Sequence, residues 1–135
     1  MLAIALTATV ARWLFEGHAE WTAYRGIDRI GLLGIDRARA QMDRHYKAHA
    51  PTPLFALEVR GRPPDGGMYD IGALAIDFLL RGRDPASRFA YFEAIGRGVP
   101  WRDAFAATFG LSLESFYAGF AAYRKRSSLA GSGSA

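Results

Sequence analysis

Glycines and prolines cut the second half of this chain into short segments, and each segment carries apolar residues at helical spacing. Met68 to Arg81 places Ile71, Leu74, Ala75, Phe78 and Leu79 on one helix face before Gly82 ends the run. Asp84-Pro85 then predicts a new helix, with Asp84 as the cap and Pro85 in the first turn. That helix carries Phe89, Phe92, Ala94 and Ile95 and stops at Gly96 or Gly98. Pro100 opens a short helix with Trp101, Phe105 and Phe109, and Gly110 closes it. Ser112 caps a last helix with a stripe of Phe116, Phe120 and Tyr123. Such segments bury their apolar stripes only against one another, so the fold class is mainly α, with about six helices.

The first half reads less sharply. Residues 2–11 are apolar all round, which suits a buried helix or strand. The run is too short to span a bilayer, which takes roughly 20 residues, and no transmembrane segment is expected. It also lacks the basic start of a signal peptide, and the compartment stays undetermined. A helix is expected from Phe15 to Arg25, with bulk from Trp13, Trp21 and Tyr24, and a break at Gly26, Gly31 and Gly34. A second, amphipathic helix is expected from Asp36 to Ala48. Pro51 to Gly67 reads as loop, with one helical turn at Leu54-Phe55-Ala56-Leu57.

Half of the 135 residues are hydrophobic, enough for a packed core. Residues 1–126 are read as one helical domain and 127–135 as a flexible tail of small and polar residues. Cysteine is absent, which excludes disulfides and thiolate metal sites. The net charge of +4 comes from arginines scattered along the chain, the pattern of a solvated surface rather than a nucleic-acid footprint.

Three stretches carry a resemblance. Trp13-Leu14-Phe15-Glu16-Gly17-His18-Ala19-Glu20 is similar to the helix start that delivers the glutamate zinc ligand in gluzincin metallopeptidases. Tyr69-Asp70-Ile71-Gly72-Ala73 resembles the Y-x-x-G-A turn that follows the metal site in aminopeptidase-N-like gluzincins. Arg88 to Gly98, Ala104 to Gly110 and Phe116 to Tyr123 resemble the helical tail of peptidase-MA-like domains. They occur in the family's order and cover roughly residues 12–124. The resemblance implies the C-terminal helical subdomain of a zincin-like peptidase, whose substrate is a peptide or protein. It implies Glu16 as the third zinc ligand, Glu20 as a carboxylate orienting a ligand histidine, and Tyr69 as donor to the oxyanion. Gly17, beside Glu16, lets a neighbouring helix come close.

The chain departs from that family in two respects, the first being Phe15, which replaces a polar residue common before the ligand glutamate. No H-E-x-x-H occurs in it, and residues 1–12 hold neither histidine nor glutamate. Zinc is therefore expected only if the missing histidines are supplied, and this chain alone is expected to be inactive. It reads as a C-terminal piece of a longer protein, a degenerate relative, or a chain completed by another. His45 and His49 share a helix face, but Tyr46 stands where a catalytic glutamate would be, and Lys47 lies between them. That face reads as solvated.

Two other classes compete. One is a structural or interaction domain without catalysis. The other is a TetR-like helix-turn-helix, suggested by Gly110-Leu111-Ser112 followed by Phe116-Tyr117 and Phe120. Its recognition face would present Ser112, Leu113, Glu114, Ser115, Ala118 and Gly119, none of them basic, so no nucleic-acid partner is expected.

Overall fold

The computed structural model describes residues 10–32, 34–48, 52–58 and 67–132. Within them run six α-helices and one short 3-10 helix, with no strand among the described residues. The helices are α1 (Arg12–Arg29), α2 (Ile35–Ala48), α3 (Gly67–Leu80), α4 (Ser87–Gly96), α5 (Trp101–Phe109) and α6 (Leu113–Ser132). The 3-10 helix spans Leu54–Leu57, where the single turn was expected. The chain divides into two compact units, one from Val10 to Leu79 and one that takes over at Leu80. No described helix is long and apolar enough to cross a membrane.

In the first unit, α1 buries Trp13, Leu14, Gly17, Trp21 and Tyr24, a stripe spaced three and four residues apart. No side chain caps its start. The Arg12 N–H instead donates to the Glu58 carbonyl at 2.9 Å, so the end of the 3-10 segment supplies an acceptor the helix terminus lacks. The helix outruns the expected Phe15–Arg25 at both ends. Gly26 does not break it, because a helix in tertiary contact absorbs a single glycine at a cost of about 1 kcal/mol. The stop comes at Gly31, whose φ of 76° lets the Leu32 N–H turn back onto the Ile27 carbonyl at 3.2 Å. From Ile71 to Leu80, α3 is buried on every side except at half-buried Phe78. The expected single apolar face was too narrow: Ala73, Ile76 and Leu80 are core as well.

In the second unit, α4 begins at Ser87, two residues after the expected start. Asp84 still serves the entry: its Oδ1 accepts from the Ala86 N–H at 3.0 Å, and its carbonyl accepts from the Ser87 N–H at 3.0 Å. Ser112 caps α6 as expected, its Oγ accepting from the Ser115 N–H at 3.1 Å. Gly110 ends α5 in the left-handed region, at φ 76°. The core is aromatic: Phe105 packs against Phe109 at 5.0 Å and Phe116 at 5.5 Å between ring centres, and edge-on to Tyr91 at 6.2 Å. Tyr91 was absent from the expected stripe of α4, whereas Phe89, which was in it, is 54% exposed. Residues 2–9 lie outside the described residues; of the expected tail 127–135, residues 127–132 continue α6 as helix and 133–135 lie outside the described residues.

Candidate functional site

The two segments that carry the resemblance meet in the first unit. Helices α1 and α3 cross with backbone against backbone at Gly17 and Gly72. A Cβ on Gly17 would lie 2.3 Å from the Gly72 carbonyl carbon, and one on Gly72 would lie 2.6 Å from the Trp13 carbonyl oxygen. No side chain fits at either position, and the close approach expected beside Glu16 is made by Gly72. Tyr69 sits in the first turn of α3, three residues before Gly72; its side chain lies outside the described residues.

Glu16 is half-buried at the edge of this crossing. Its Oε1 stands 2.7 Å from Nη2 of Arg12, one turn earlier on the same face. The side chains are 14% and 19% exposed respectively, so water screens the pair less than it would on an open helix surface. Arg12 Nε is buried and has no hydrogen-bond partner. Glu20 is half-buried one turn further along α1. His18 is also half-buried, and its carbonyl accepts from the Thr22 hydroxyl at 2.8 Å.

Among the described residues, no three His, Asp or Glu side chains cluster closely enough to hold a metal. The His45 side chain and all of His49 lie outside the described residues. Glu16, the expected zinc ligand, already carries the Arg12 guanidinium, with 2.7 Å between Oε1 and Nη2. The two imidazoles that the resemblance calls for would have to come from outside the described residues.

A second polar cluster lies deeper in the same unit. Asp77 on α3 is only 3% exposed. Its Oδ1 accepts from the buried Trp21 N–H at 3.3 Å, and Arg39 of α2 spans both oxygens, Nε to Oδ2 at 3.1 Å and Nη2 to Oδ1 at 3.3 Å. The cluster ties three helices to one carboxylate. Sequence reasoning passed over it, although a lone acid inside Ala73-Leu74-Ala75-Ile76-Asp77-Phe78-Leu79-Leu80 was a usable signal. An aspartate there must be buried, and a buried aspartate needs donors.

The second unit offers less chemistry. An open apolar cleft of about 290 Å³ is lined by Ile95, Gly98, Val99, Pro100 and Trp101, and no titratable side chain lines it. The turn from α5 to α6 does not present the expected recognition face. Leu113 is buried in the core and Gly119 is half-buried, because the apolar stripe of α6 includes position 113. Glu114 faces solvent and pairs with Arg102 at 3.0 Å. No protein-family profile, curated protein or solved structure matches the chain.

Proposed function

We propose that this chain is the C-terminal helical part of a gluzincin-like zinc metallopeptidase that cleaves peptide bonds when intact and is inactive by itself. The observation that carries the reading is the glycine-to-glycine crossing of α1 and α3. It sets Glu16 beside the helix that bears Tyr69. Two short motifs that chance could supply separately thus belong to one helix crossing, and the glycine of each is what lets the other approach.

In this reading Glu16 would offer a carboxylate oxygen to the metal, and Glu20 would orient a ligand histidine. Tyr69 would donate a hydrogen bond from its phenol to the oxygen that becomes negative as the carbonyl is attacked. When bound, zinc would polarise the carbonyl and lower the pKa of a water toward ~7. The zinc site would need two histidine ligands besides Glu16.

The test uses the intact polypeptide. Glu16→Ala should abolish stoichiometric zinc and peptidase activity together. Tyr69→Phe should keep the zinc and lower kcat by ~10²–10³-fold, the range for losing one oxyanion donor. The isolated chain should bind zinc weakly and cleave nothing. Tight zinc binding by the isolated chain would overturn this division of ligands, and salt-dependent binding to duplex DNA would revive the helix-turn-helix reading. The Arg12–Glu16 pair favours one other reading: with a cation already on Glu16, the chain serves as a structural helical domain. Zinc content of the intact polypeptide unchanged by Glu16→Ala would select that alternative.

A further inference from the structure

We infer that the turn between α1 and α2 is a membrane-contacting tip, which seats Ile30 and Leu32 at the headgroup boundary of a zwitterionic phospholipid surface. The inference is independent of the peptidase reading.

The turn reads Asp28-Arg29-Ile30-Gly31-Leu32-Leu33-Gly34-Ile35-Asp36-Arg37, an uncharged run between two Asp-Arg pairs. Ile30 is 69% exposed and Leu32 is 76% exposed, more than any other large hydrophobic side chain among the described residues. Arg29, Gly31, Gly34, Asp36 and Arg37 are exposed as well, so the turn projects into solvent. A single apolar side chain on a surface needs no explanation. Two of them at the tip of a projecting turn, with charge on both flanks and none between, form a contact surface.

Three observations select lipid as the occupant. The backbone donors of the tip are already spent: the Ile30 N–H donates to the Gly26 carbonyl at 3.3 Å, Gly31 to Asp28 at 3.0 Å, and Leu32 to Ile27 at 3.2 Å. An apolar medium offers no acceptors, so only a segment whose donors are satisfied internally enters it cheaply. The shape is the second observation. A projecting tip does not fit a copy of itself, whereas fluid lipid conforms to it. The third is charge. Each flank carries one cation and one anion, which matches a headgroup that carries both. The long stems of Arg29 and Arg37 let a guanidinium reach the phosphates while the aliphatic tip sits deeper. Asp36, whose side chain is 97% exposed, meets the outer ammonium layer. The pairs cancel, and residues 10–79 as a whole hold as many acidic as basic side chains. Attraction therefore comes from aliphatic insertion and not from net charge.

The test uses the full chain and vesicles of phosphatidylcholine, with vesicles of equal parts phosphatidylcholine and phosphatidylserine as a second arm. The chain has no cysteine, so Leu32→Cys takes a single environment-sensitive nitrobenzoxadiazole label. On phosphatidylcholine that label should brighten and shift to the blue, while the same label on Ala121→Cys, exposed on α6, should not change. Ile30→Ser combined with Leu32→Ser should lower the vesicle partition about 100-fold, about 10-fold for each side chain, the low end for burying an aliphatic group. Both side chains are largely exposed, so the fold is kept, and far-UV circular dichroism checks it. Raising sodium chloride from ~0.1 to ~0.5 M should change the partition less than about 2-fold, because the attraction is not one that salt screens. The inference is overturned if the chain does not partition onto phosphatidylcholine. It is equally overturned if partition needs phosphatidylserine and is lost in salt, which marks a cationic surface, or if the chain binds while the Leu32 label stays unchanged. Self-association that the double substitution abolishes, without vesicle binding, would make the tip a contact between copies and overturn the lipid assignment.

Discussion

Gly17→Ala tests the helix crossing on which the functional reading depends. The new Cβ would stand 2.3 Å from the Gly72 carbonyl carbon, with the Gly72 carbonyl oxygen at 2.4 Å and its Cα at 2.7 Å. All three are backbone atoms, so no rotamer change relieves the contact. Ordinary contact begins near 3.4 Å, and the helices must therefore separate by about 1 Å. A gap of that size forfeits a quarter to a half of the dispersion well for each atom pair along the crossing. Overpacking of this kind costs about 3 kcal/mol, the upper end of its usual range. The gain in helix propensity from glycine to alanine returns about 1 kcal/mol. The net loss of about 2 kcal/mol corresponds to a Tm lowered by roughly 8 °C at this chain length. Gly26→Ala is the control within the same helix, because nothing lies within 4 Å of its Cβ. It should stabilise by about 0.5–1 kcal/mol through propensity alone. Urea unfolding followed at 222 nm measures both. The reasoning fails if Gly17→Ala stays within 0.5 kcal/mol of the wild type, or if the two substitutions change stability alike.

Asp77→Ala should cost about 2–4 kcal/mol in the same urea assay. Most of that comes from the buried Trp21 N–H losing its acceptor, and little from Arg39, whose side chain is 39% exposed and can turn to water. In a Trp21→Phe background the cost should shrink by more than half. Burial pushes the Tyr91 phenol above its ordinary range, whereas in the unfolded chain it ionises near pH 10. The unfolded state then loses its proton first, so stability is intact below about pH 10 and falls as pH rises above it. Tyr91→Phe should remove part of that alkaline loss, measured as Tm against pH, and cost only about 1 kcal/mol at neutral pH for the bond to the Trp101 carbonyl. Glu114→Ala should stay within 0.5 kcal/mol of the wild type by thermal melting, because its partnership with Arg102 is exposed on both sides.

The helices were legible wherever a terminator has a local cause. Gly31, Gly82 and Gly110 take positive φ, and the cap at Ser112 depends only on its own neighbours, so residue type sufficed at each. Gly26 misled because a helix is stopped by a needed left-handed residue and not by glycine as such. Burial was less legible than helix position. A stripe predicts one buried face, yet α3 is enclosed on nearly all sides, and only neighbours distant in sequence could reveal that. The same reason hid Asp77: its donors lie 56 and 38 residues away. At the candidate site the sequence supplied Glu16 and Gly17 but not the partner of either. Gly72 and Arg12 acquire their meaning only from the crossing and from the enclosure of the ion pair.

Glu16 and Asp77 both lie on the helices that cross in the first unit, and their burial assigns them different work. Residues along a helix are about 100° apart around its axis, so Glu16, next to Gly17, cannot point into the contact that Gly17 makes. It falls at the rim, which agrees with its 14% exposure. An acid at the centre of such a contact would lose nearly all its hydration and would need every lone pair answered from within. Asp77 comes close to that condition: at 3% exposure it has donors on both oxygens, from Trp21 and Arg39. Glu16 is paired instead with a cation of its own helix, Arg12, at 2.7 Å, and both side chains keep some contact with water. The adjacency of glutamate and glycine thus has a physical reason. The glycine draws the helices together, and the residue beside it is carried to the margin of the contact, where a carboxylate stays partly hydrated and can be held by a cation one turn away.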